Sequence, residues 1–228
     1  MDNIIKIRLG YTNTYLLRVS DGYVLIDVGS KRKTKKFLRI LDDYNISPDK
    51  IKYIIVTHAH FDHVGCLAEI KEITGAKVVA HKNAAKYLKQ GKNAYVGLKI
   101  NWFNSIIRKI LERIQAFKPI SPDIVVDEIY FFDEYGTDLK LIYTPGHTLC
   151  SISVIDEDGN AFVGDTAMGF PIRLFSRSPR IAADFKLVIP SWKRIVDEGA
   201  KTVYMAHGRP FNISKIRRKV EKKKRKKK

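Results

Sequence analysis

The stretch from residue 57 to residue 65 is Thr57-His58-Ala59-His60-Phe61-Asp62-His63-Val64-Gly65. It holds three of the six histidines of the chain, with an aspartate, in the pattern His-x-His-x-Asp-His. Residues two apart in an extended segment point to the same side, so His58 and His60 can face one metal ion. Asp62 and His63 lie where the chain turns into a predicted helix, so they face differently and can serve a second ion. Imidazole and carboxylate groups suit zinc, iron or manganese.

A short apolar run at 51–56 directly precedes this stretch and predicts a strand buried on both faces. A helix predicted at 64–74 and a strand predicted at 77–80 complete a parallel strand pair joined through a helix. Periodicity and turn signals also predict strands at 13–19, 23–28, 124–126, 129–132, 139–143, 151–155, 161–163 and 202–206, and helices at 31–44, 99–117 and 185–198. This pattern favours a layered α/β fold.

Three further candidate ligands also follow predicted strands. They are His147 after the strand 139–143, Asp165 after 161–163, and His207 after 202–206. Strand ends converge on one rim in layered α/β folds, so we expect these side chains to join the 58–63 cluster. His81 also follows a predicted strand, but it has no partner motif. We therefore predict a supporting or structural role for His81, outside the ligand set.

Several motifs resemble those of the metallo-β-lactamase superfamily. Besides the stretch 57–65, they are, in order, Asn13-Thr14-Tyr15-Leu16-Leu17, Leu25-Ile26-Asp27-Val28-Gly29, Thr144-Pro145-Gly146-His147-Thr148, Gly164-Asp165-Thr166 and His207-Gly208. The resemblance covers nearly the whole chain. It implies an αβ/βα sandwich, in which two mixed sheets pack face to face with helices outside and the metals at one edge.

The resemblance also implies a role for each ligand. It assigns His58, His60 and His147 to one ion, assigns Asp62, His63 and His207 to the other, and lets Asp165 bridge the two. The expected cofactors are two divalent ions, zinc with iron or manganese as alternatives. Such a pair can lower the pKa of a bridging water toward ~7 and give a hydroxide that attacks a carbonyl or phosphoryl centre. Asp62 is also the predicted catalytic residue, because it can orient that hydroxide and take its proton.

This sequence differs from several branches of the superfamily at named positions, and these differences argue against the activities of those branches. Asp165 argues against true β-lactamases, which generally lack the bridging aspartate, and His60 argues against flavo-diiron proteins, which carry a carboxylate there. Glyoxalase II enzymes share the ligands but add a helical domain that recognises glutathione. Quorum-signal lactonases place a tyrosine where this chain has Met168. The expected function is a metal-dependent hydrolase acting on a small ester, thioester or lactone.

Three alternatives from other classes stay open. A phosphodiesterase or nuclease of the same fold is favoured by the basic surface, and its nucleic-acid binding would fall steeply with salt. A persulfide dioxygenase with a single iron resembles glyoxalase II. A non-enzymatic nucleic-acid-binding module would leave the presence of every ligand unexplained.

The formal net charge is +18, and much of it is local. Residues 215–228 contain eleven Lys or Arg and one acid, Glu221. We therefore predict a metallo-β-lactamase-fold domain at 1–212 and a basic C-terminal tail at 213–228. Ile213, Ile216 and Val220 recur at helical spacing, so the tail is predicted to begin as a helix and to end in disorder. Its charge indicates either attraction to nucleic acid or a solvated end.

The remaining features indicate a cytoplasmic protein with a small-molecule substrate. No apolar run approaches the roughly 20 residues of a membrane span, and we identify no signal peptide or transmembrane segment. The predicted helix 99–117 carries an apolar stripe from Trp102 to Phe117, which favours core packing. A lid, an oligomer interface and a membrane-surface helix are alternatives. Cys66 and Cys150 are predicted to be reduced, small apolar residues, with a reactive thiol near the metal motifs as the alternative.

Overall fold

The computed structural model describes residues 3–94, 113–132, 138–169 and 177–225, and two six-stranded sheets form its centre. Both sheets keep their strands in chain order. The first contains β1 (Ile4–Leu9), β2 (Thr12–Val19), β3 (Gly22–Ile26), β4 (Ile51–Val56), β5 (Lys77–His81) and β6 (Ile124–Val126). The second contains β7 (Ile129–Phe131), β8 (Lys140–Tyr143), β9 (Ile152–Ile155), β10 (Asn160–Phe162), β11 (Thr202–Tyr204) and β12 (Phe211–Asn212). Each sheet mixes parallel and antiparallel pairs.

Helices cover the outer face of each sheet. The first sheet carries α1 (Thr34–Asp43), α3 (Leu67–Thr74) and α4 (Lys82–Gln90), and the short α2 (Phe61–Val64) lies at its rim. The second sheet carries α5 (Phe185–Asp197) and α6 (Ser214–Arg225). A 3₁₀ turn, Pro48–Lys50, precedes β4. The expected αβ/βα sandwich is therefore confirmed.

Strand β4 shows how the four layers arise from the period of two in a strand. Ile54 and Val56 are buried in the cluster that contains residues of α1 and α3. Tyr53 and Ile55 are buried in the cluster between the sheets. The prediction of a strand buried on both faces is confirmed, and its parallel pairing with β5 is confirmed too. Each fully buried isoleucine stabilises the fold by about 1.5–3 kcal/mol relative to an exposed one.

The predicted helix 64–74 is wrong at its start. The chain forms α2 over Phe61–Val64, passes Gly65 and Cys66, and begins α3 at Leu67. Gly65 packs so closely that a Cβ there would lie 2.3 Å from the Lys31 backbone nitrogen. The local sequence pattern does not predict this contact, because Lys31 lies more than 30 residues before Gly65. Strands β1 and β12 and helix α4 were not among the predicted elements.

The predicted helix 99–117 lies largely outside the described residues. Of its apolar stripe, Phe117 is buried, whereas Ile114 is exposed. Its proposed roles stay predictions. Both cysteines are unpaired, as predicted, and both are buried, and burial raises the pKa of the Cys150 thiol. Within the described part of the chain, every helix falls short of the length and apolarity that crossing a membrane requires.

Helix α6 begins the predicted basic tail and packs on the core. Ile213, Ile216 and Val220 are buried in the same cluster as Trp192 and Ile195 of α5. The predicted helical start of the tail is thus observed, and its apolar side is part of the domain core. The division of the chain after residue 212 stays a prediction.

Replacing Ile216 by alanine is expected to lower the free energy of unfolding by about 2–5 kcal/mol, because its side chain is fully buried. The matched change Lys215→Ala, on the exposed side of the same turn, is expected to stay within about 0.5 kcal/mol. Urea unfolding measures both. Equal small effects would show that α6 does not pack on α5.

Candidate metal centre

The seven predicted ligands lie just past strand ends at one rim of the sandwich. His58 and His60 follow β4, and Asp62 and His63 lie in α2. The loops after β8, β10 and β11 carry the others, His147, Asp165 and His207. Their ligand atoms form two groups, each within 4.8 Å. The first contains His58, His60, His147 and Asp165, and the second contains Asp62, His63 and His207.

In the first group, three imidazole nitrogens converge. Nδ1 of His60 lies 3.0 Å from Nε2 of His58 and 3.1 Å from Nε2 of His147. The outward nitrogens are held by backbone carbonyls: His147 Nδ1 lies 2.8 Å from the Ile181 oxygen and His60 Nε2 lies 3.2 Å from that of Ala94. An imidazole that donates one N–H to a carbonyl oxygen keeps a lone pair on its other nitrogen. The lone pairs of His60 and His147 therefore point into the group.

In the second group, Asp62 lies at the centre. Its Oδ2 is 3.2 Å from His207 Nε2 and 3.8 Å from His63 Nε2. The Thr12 hydroxyl donates to the same oxygen at 3.0 Å. His207 Nδ1 lies 3.0 Å from the Tyr11 carbonyl oxygen, which orients that ring.

Asp165 lies between the two groups. Its Oδ2 is 3.4 Å from His147 Nε2 on one side. Its Oδ1 is 3.4 Å from His207 Nε2 and 3.6 Å from His63 Nε2 on the other. One carboxylate therefore faces both groups with different oxygens.

The donor set fits divalent metal ions, which the fold implies. His63 Nε2 and Asp165 Oδ1 are buried and make no well-formed hydrogen bond within the described part of the chain; their contacts to each other and of Asp165 Oδ1 to His207 Nε2 are 3.6 Å and 3.4 Å long. A buried polar atom without a partner costs about 1–3 kcal/mol, and such atoms call for an explanation. Because both point between the two groups, a bound cation would satisfy them.

Burial lowers the pKa of the three histidines in the first group. Their mutual proximity adds to the effect at His58 and His60, and the pKa of His60 falls to about 3. At neutral pH these rings are therefore uncharged and available as ligands.

The two histidines of the second group have a raised pKa instead and are positively charged at neutral pH. Burial alone would lower the pKa of His63, but the carboxylates of Asp27, Asp62 and Asp165 raise it well above its usual range. Burial alone would also lower the pKa of His207, but the carboxylates of Asp165 and Asp62 beside its Nε2 raise that pKa to about 9. Burial opposes ionisation of Asp62 and Asp165, yet the same two histidines hold the pKa of both carboxyls low. Without a bound metal ion, the protonated rings of His63 and His207 thus balance the negative charge of Asp62 and Asp165.

Asp27, for which the sequence predicted no role, bonds to two residues of the stretch 57–65. Its Oδ1 accepts from the Thr57 backbone N–H at 2.8 Å, and its Oδ2 accepts from the Thr57 hydroxyl at 2.7 Å. The same Oδ2 lies 2.7 Å from His63 Nδ1, so Asp27 aims the Nε2 of His63 at Asp165. The sequence signal that could have revealed Asp27 is its position at the end of the apolar run 23–28. The candidate ligands were recognised by the same kind of position after a strand.

His81 belongs to neither group. Its Nδ1 accepts from the Asn83 backbone N–H and caps α4, and its ring stacks on Tyr143 at 4.3 Å. Its supporting or structural role stays a prediction.

Comparison with known proteins agrees with this geometry. The family model described as the metallo-beta-lactamase superfamily matches residues 7–207. A metallo-beta-lactamase fold-containing protein of Sulfurisphaera tokodaii is 31% identical over 192 residues, 81% of this chain and 68% of that protein. A beta-lactamase-like protein 2 homolog of Caenorhabditis elegans is 28% identical over 214 residues, 92% of this chain and 59% of that protein. A probable metallo-hydrolase of Methanocaldococcus jannaschii is 28% identical over 204 residues, 87% of this chain and 89% of that protein.

Solved structures give the same result. An archaeal metallo-beta-lactamase superfamily protein from Sulfolobus tokodaii superposes with a TM-score of 0.69 at 26% identity. The superposition covers 97% of this chain and 86% of that one.

The change Asp27→Asn is expected to weaken metal binding by about 10–100-fold, because the amide cannot accept from Thr57 and His63 as the carboxylate does. Asparagine tolerates the positive φ of 57° at this position, so the backbone is preserved. Zinc titration against a competing chelator measures the affinity. The matched control is Asp21→Asn, an exposed carboxylate in the turn between β2 and β3. Wild-type affinity in both variants would exclude the orienting role of Asp27.

Proposed function

The chain belongs to the metallo-β-lactamase superfamily, and on that premise we propose that it is a two-metal hydrolase of a small ester, thioester or lactone. The observation that carries the proposal is the position of Asp165. Its two carboxylate oxygens face separate groups of ligands, as a bridge between two ions requires. We assign His58, His60 and His147 to one ion and Asp62, His63 and His207 to the other. Zinc is the proposed metal, with iron and manganese suited to the same ligands.

Two divalent cations bound there would supply Lewis acidity and a water whose pKa is lowered toward neutrality. The protein contributes the proton acceptor. The Asp62 carboxylate stays ionised, since its pKa lies below the usual range, and Thr12 and His207 fix its orientation. Asp62 and His207 are also partly exposed, whereas Asp165 is nearly covered. The proposed attacking water therefore reaches the centre from the side of Asp62 and His207.

The surface around His147 supports an apolar substrate group. Leu149, Ile181 and Phe185 are 50%, 44% and 54% exposed. All three belong to segments that adjoin the His147 loop: Ile181 receives the His147 hydrogen bond, and the Asp184 N–H donates to the Gly146 carbonyl. Exposed apolar side chains beside a polar centre favour a ligand with an acyl or aryl part. This favours an ester, thioester or lactone over a phosphodiester.

Purified protein is expected to hydrolyse one member of a panel made of an aryl ester, a thioester, a lactone and a phosphodiester. A chelator should abolish the turnover, and added zinc should restore it, because the nucleophile depends on the cations. Turnover that resists the chelator would contradict the proposal. Metal analysis on the same sample separates two ions per chain from the single iron of a dioxygenase.

The variants His58→Ala, Asp165→Asn and Asp62→Asn test the assignment of roles. The first two are expected to lose both metal and turnover. Asp62→Asn is expected to lower kcat by about 10²–10⁴-fold through loss of the proton acceptor. The matched control is His81→Asn, a buried histidine outside the ligand groups, where asparagine can keep the helix cap. Full activity in Asp165→Asn, or equal loss in the control, would contradict the assignment.

A further inference from the structure

Helix α6 presents a line of positive charges to solvent. Its residues Ser214–Arg225 include eight Lys or Arg and the single acid Glu221. Successive residues of a helix are rotated by 100°, so four of the basic residues fall opposite the buried Ile216 and Val220. We call these four the basic stripe: Lys215, Arg218, Lys222 and Arg225. All four are exposed.

The four cations of the basic stripe exceed the acidic charge beside them, since Glu221 is the single acid of α6. Across residues 3–94, 113–132, 138–169 and 177–225, no ion pair is found for members of the stripe, whereas Lys71, Lys140 and Arg194 pair with acids. Lys219 is not part of the stripe, because its ammonium lies 5.3 Å from the Trp192 ring centroid. Like charges three and four residues apart on a helix repel one another, so the stripe destabilises the isolated helix.

The packing of α6 holds these charges in place. Ile216 and Val220 are buried against α5, which fixes the rotation of the helix about its axis. The side chains therefore line up over about 15 Å, from the rise of 1.5 Å per residue. A ligand that binds the stripe need not order the backbone, so less conformational entropy is lost than with a disordered tail.

We propose that the basic stripe binds the phosphate backbone of double-stranded nucleic acid without sequence preference. A duplex carries about one negative charge per 1.7 Å, so 15 Å of it offers roughly nine charges to the four cations. Helix α6 contains no aromatic residue on which unpaired bases could stack, which favours a duplex over a single strand. Its apolar side is already buried in the protein, so it cannot insert into a membrane as an interfacial helix does. The proposed surface is independent of the hydrolase function.

The test is fluorescence anisotropy of a labelled DNA duplex of random sequence, titrated with the whole protein at several salt concentrations. The unmodified protein should bind, and the logarithm of its affinity should fall linearly with the logarithm of salt. The variant Lys215→Gln/Arg218→Gln/Lys222→Gln/Arg225→Gln should reduce that slope by about 3–4, since each phosphate contact contributes roughly 0.9. These exposed changes leave Ile216 and Val220 in place, and a melting curve verifies that the variant stays folded.

The matched control removes the same number of exposed charges elsewhere, in Lys35→Gln/Lys36→Gln/Arg39→Gln/Lys89→Gln on α1 and α4. It is expected to keep most of the slope. Equal loss in the two variants would overturn the proposal, because binding would then follow net charge alone. Absence of duplex binding at low salt would overturn it as well. Binding to vesicles of phosphatidylserine without binding to the duplex would assign the stripe to an anionic membrane surface instead.

Discussion

Three aspartates and five histidines share one largely buried rim of this protein, and the need of each of these side chains for polar partners is the constraint on which the rest of the structure depends. Asp27, Asp62 and Asp165 would be strongly unfavourable there without partners, since an uncompensated buried charge costs several kcal/mol. Each lies within 4 Å of a histidine nitrogen. The strand ends must therefore stop where these groups can meet. The loops at this rim pack closely against each other. At Gly164, a Cβ would lie 2.5 Å from the Thr57 hydroxyl oxygen.

Hydrogen bonds across the rim hold the two sheets together at the site. The Asn13 N–H donates to the Ala206 carbonyl at 2.8 Å, and the Ile152 N–H donates to the Thr57 carbonyl at 2.9 Å. The Tyr15 hydroxyl donates to the Met205 carbonyl at 2.7 Å. Each bond joins a strand of one sheet to the loop that follows β4 or β11 of the other sheet, beside the candidate ligands. The distance between the ligand groups is thus fixed by backbone contacts as well as by the side chains themselves.

The clustering of the seven candidate ligands could be predicted from sequence, because each lies shortly after an apolar run and such a run is a local signal. Asp27 also follows an apolar run, but a strand-end position does not distinguish a metal ligand from a residue that orients one, so its bonds to Thr57 and His63 were not predicted. The break between α2 and α3 was not predicted either, since it depends on Gly65 packing against the Lys31 backbone. The start of α6 was predicted correctly, since Ile213, Ile216 and Val220 repeat at helical spacing within a strongly charged segment. Long-range contacts between polar groups carry no periodicity, so sequence patterns do not reveal them.

The chain order of the strands governs how this molecule can be made. Because β1 to β6 neighbour one another in sequence as well as in space, the first sheet can complete its pairings before residue 127 leaves the ribosome. The nascent half already contains Asp27, His58, His60, Asp62 and His63. It lacks the side chains at 147, 165 and 207 that close both groups. Final assembly of the centre therefore coincides with docking of the two halves, the slowest kind of contact to form because it is the most distant along the chain.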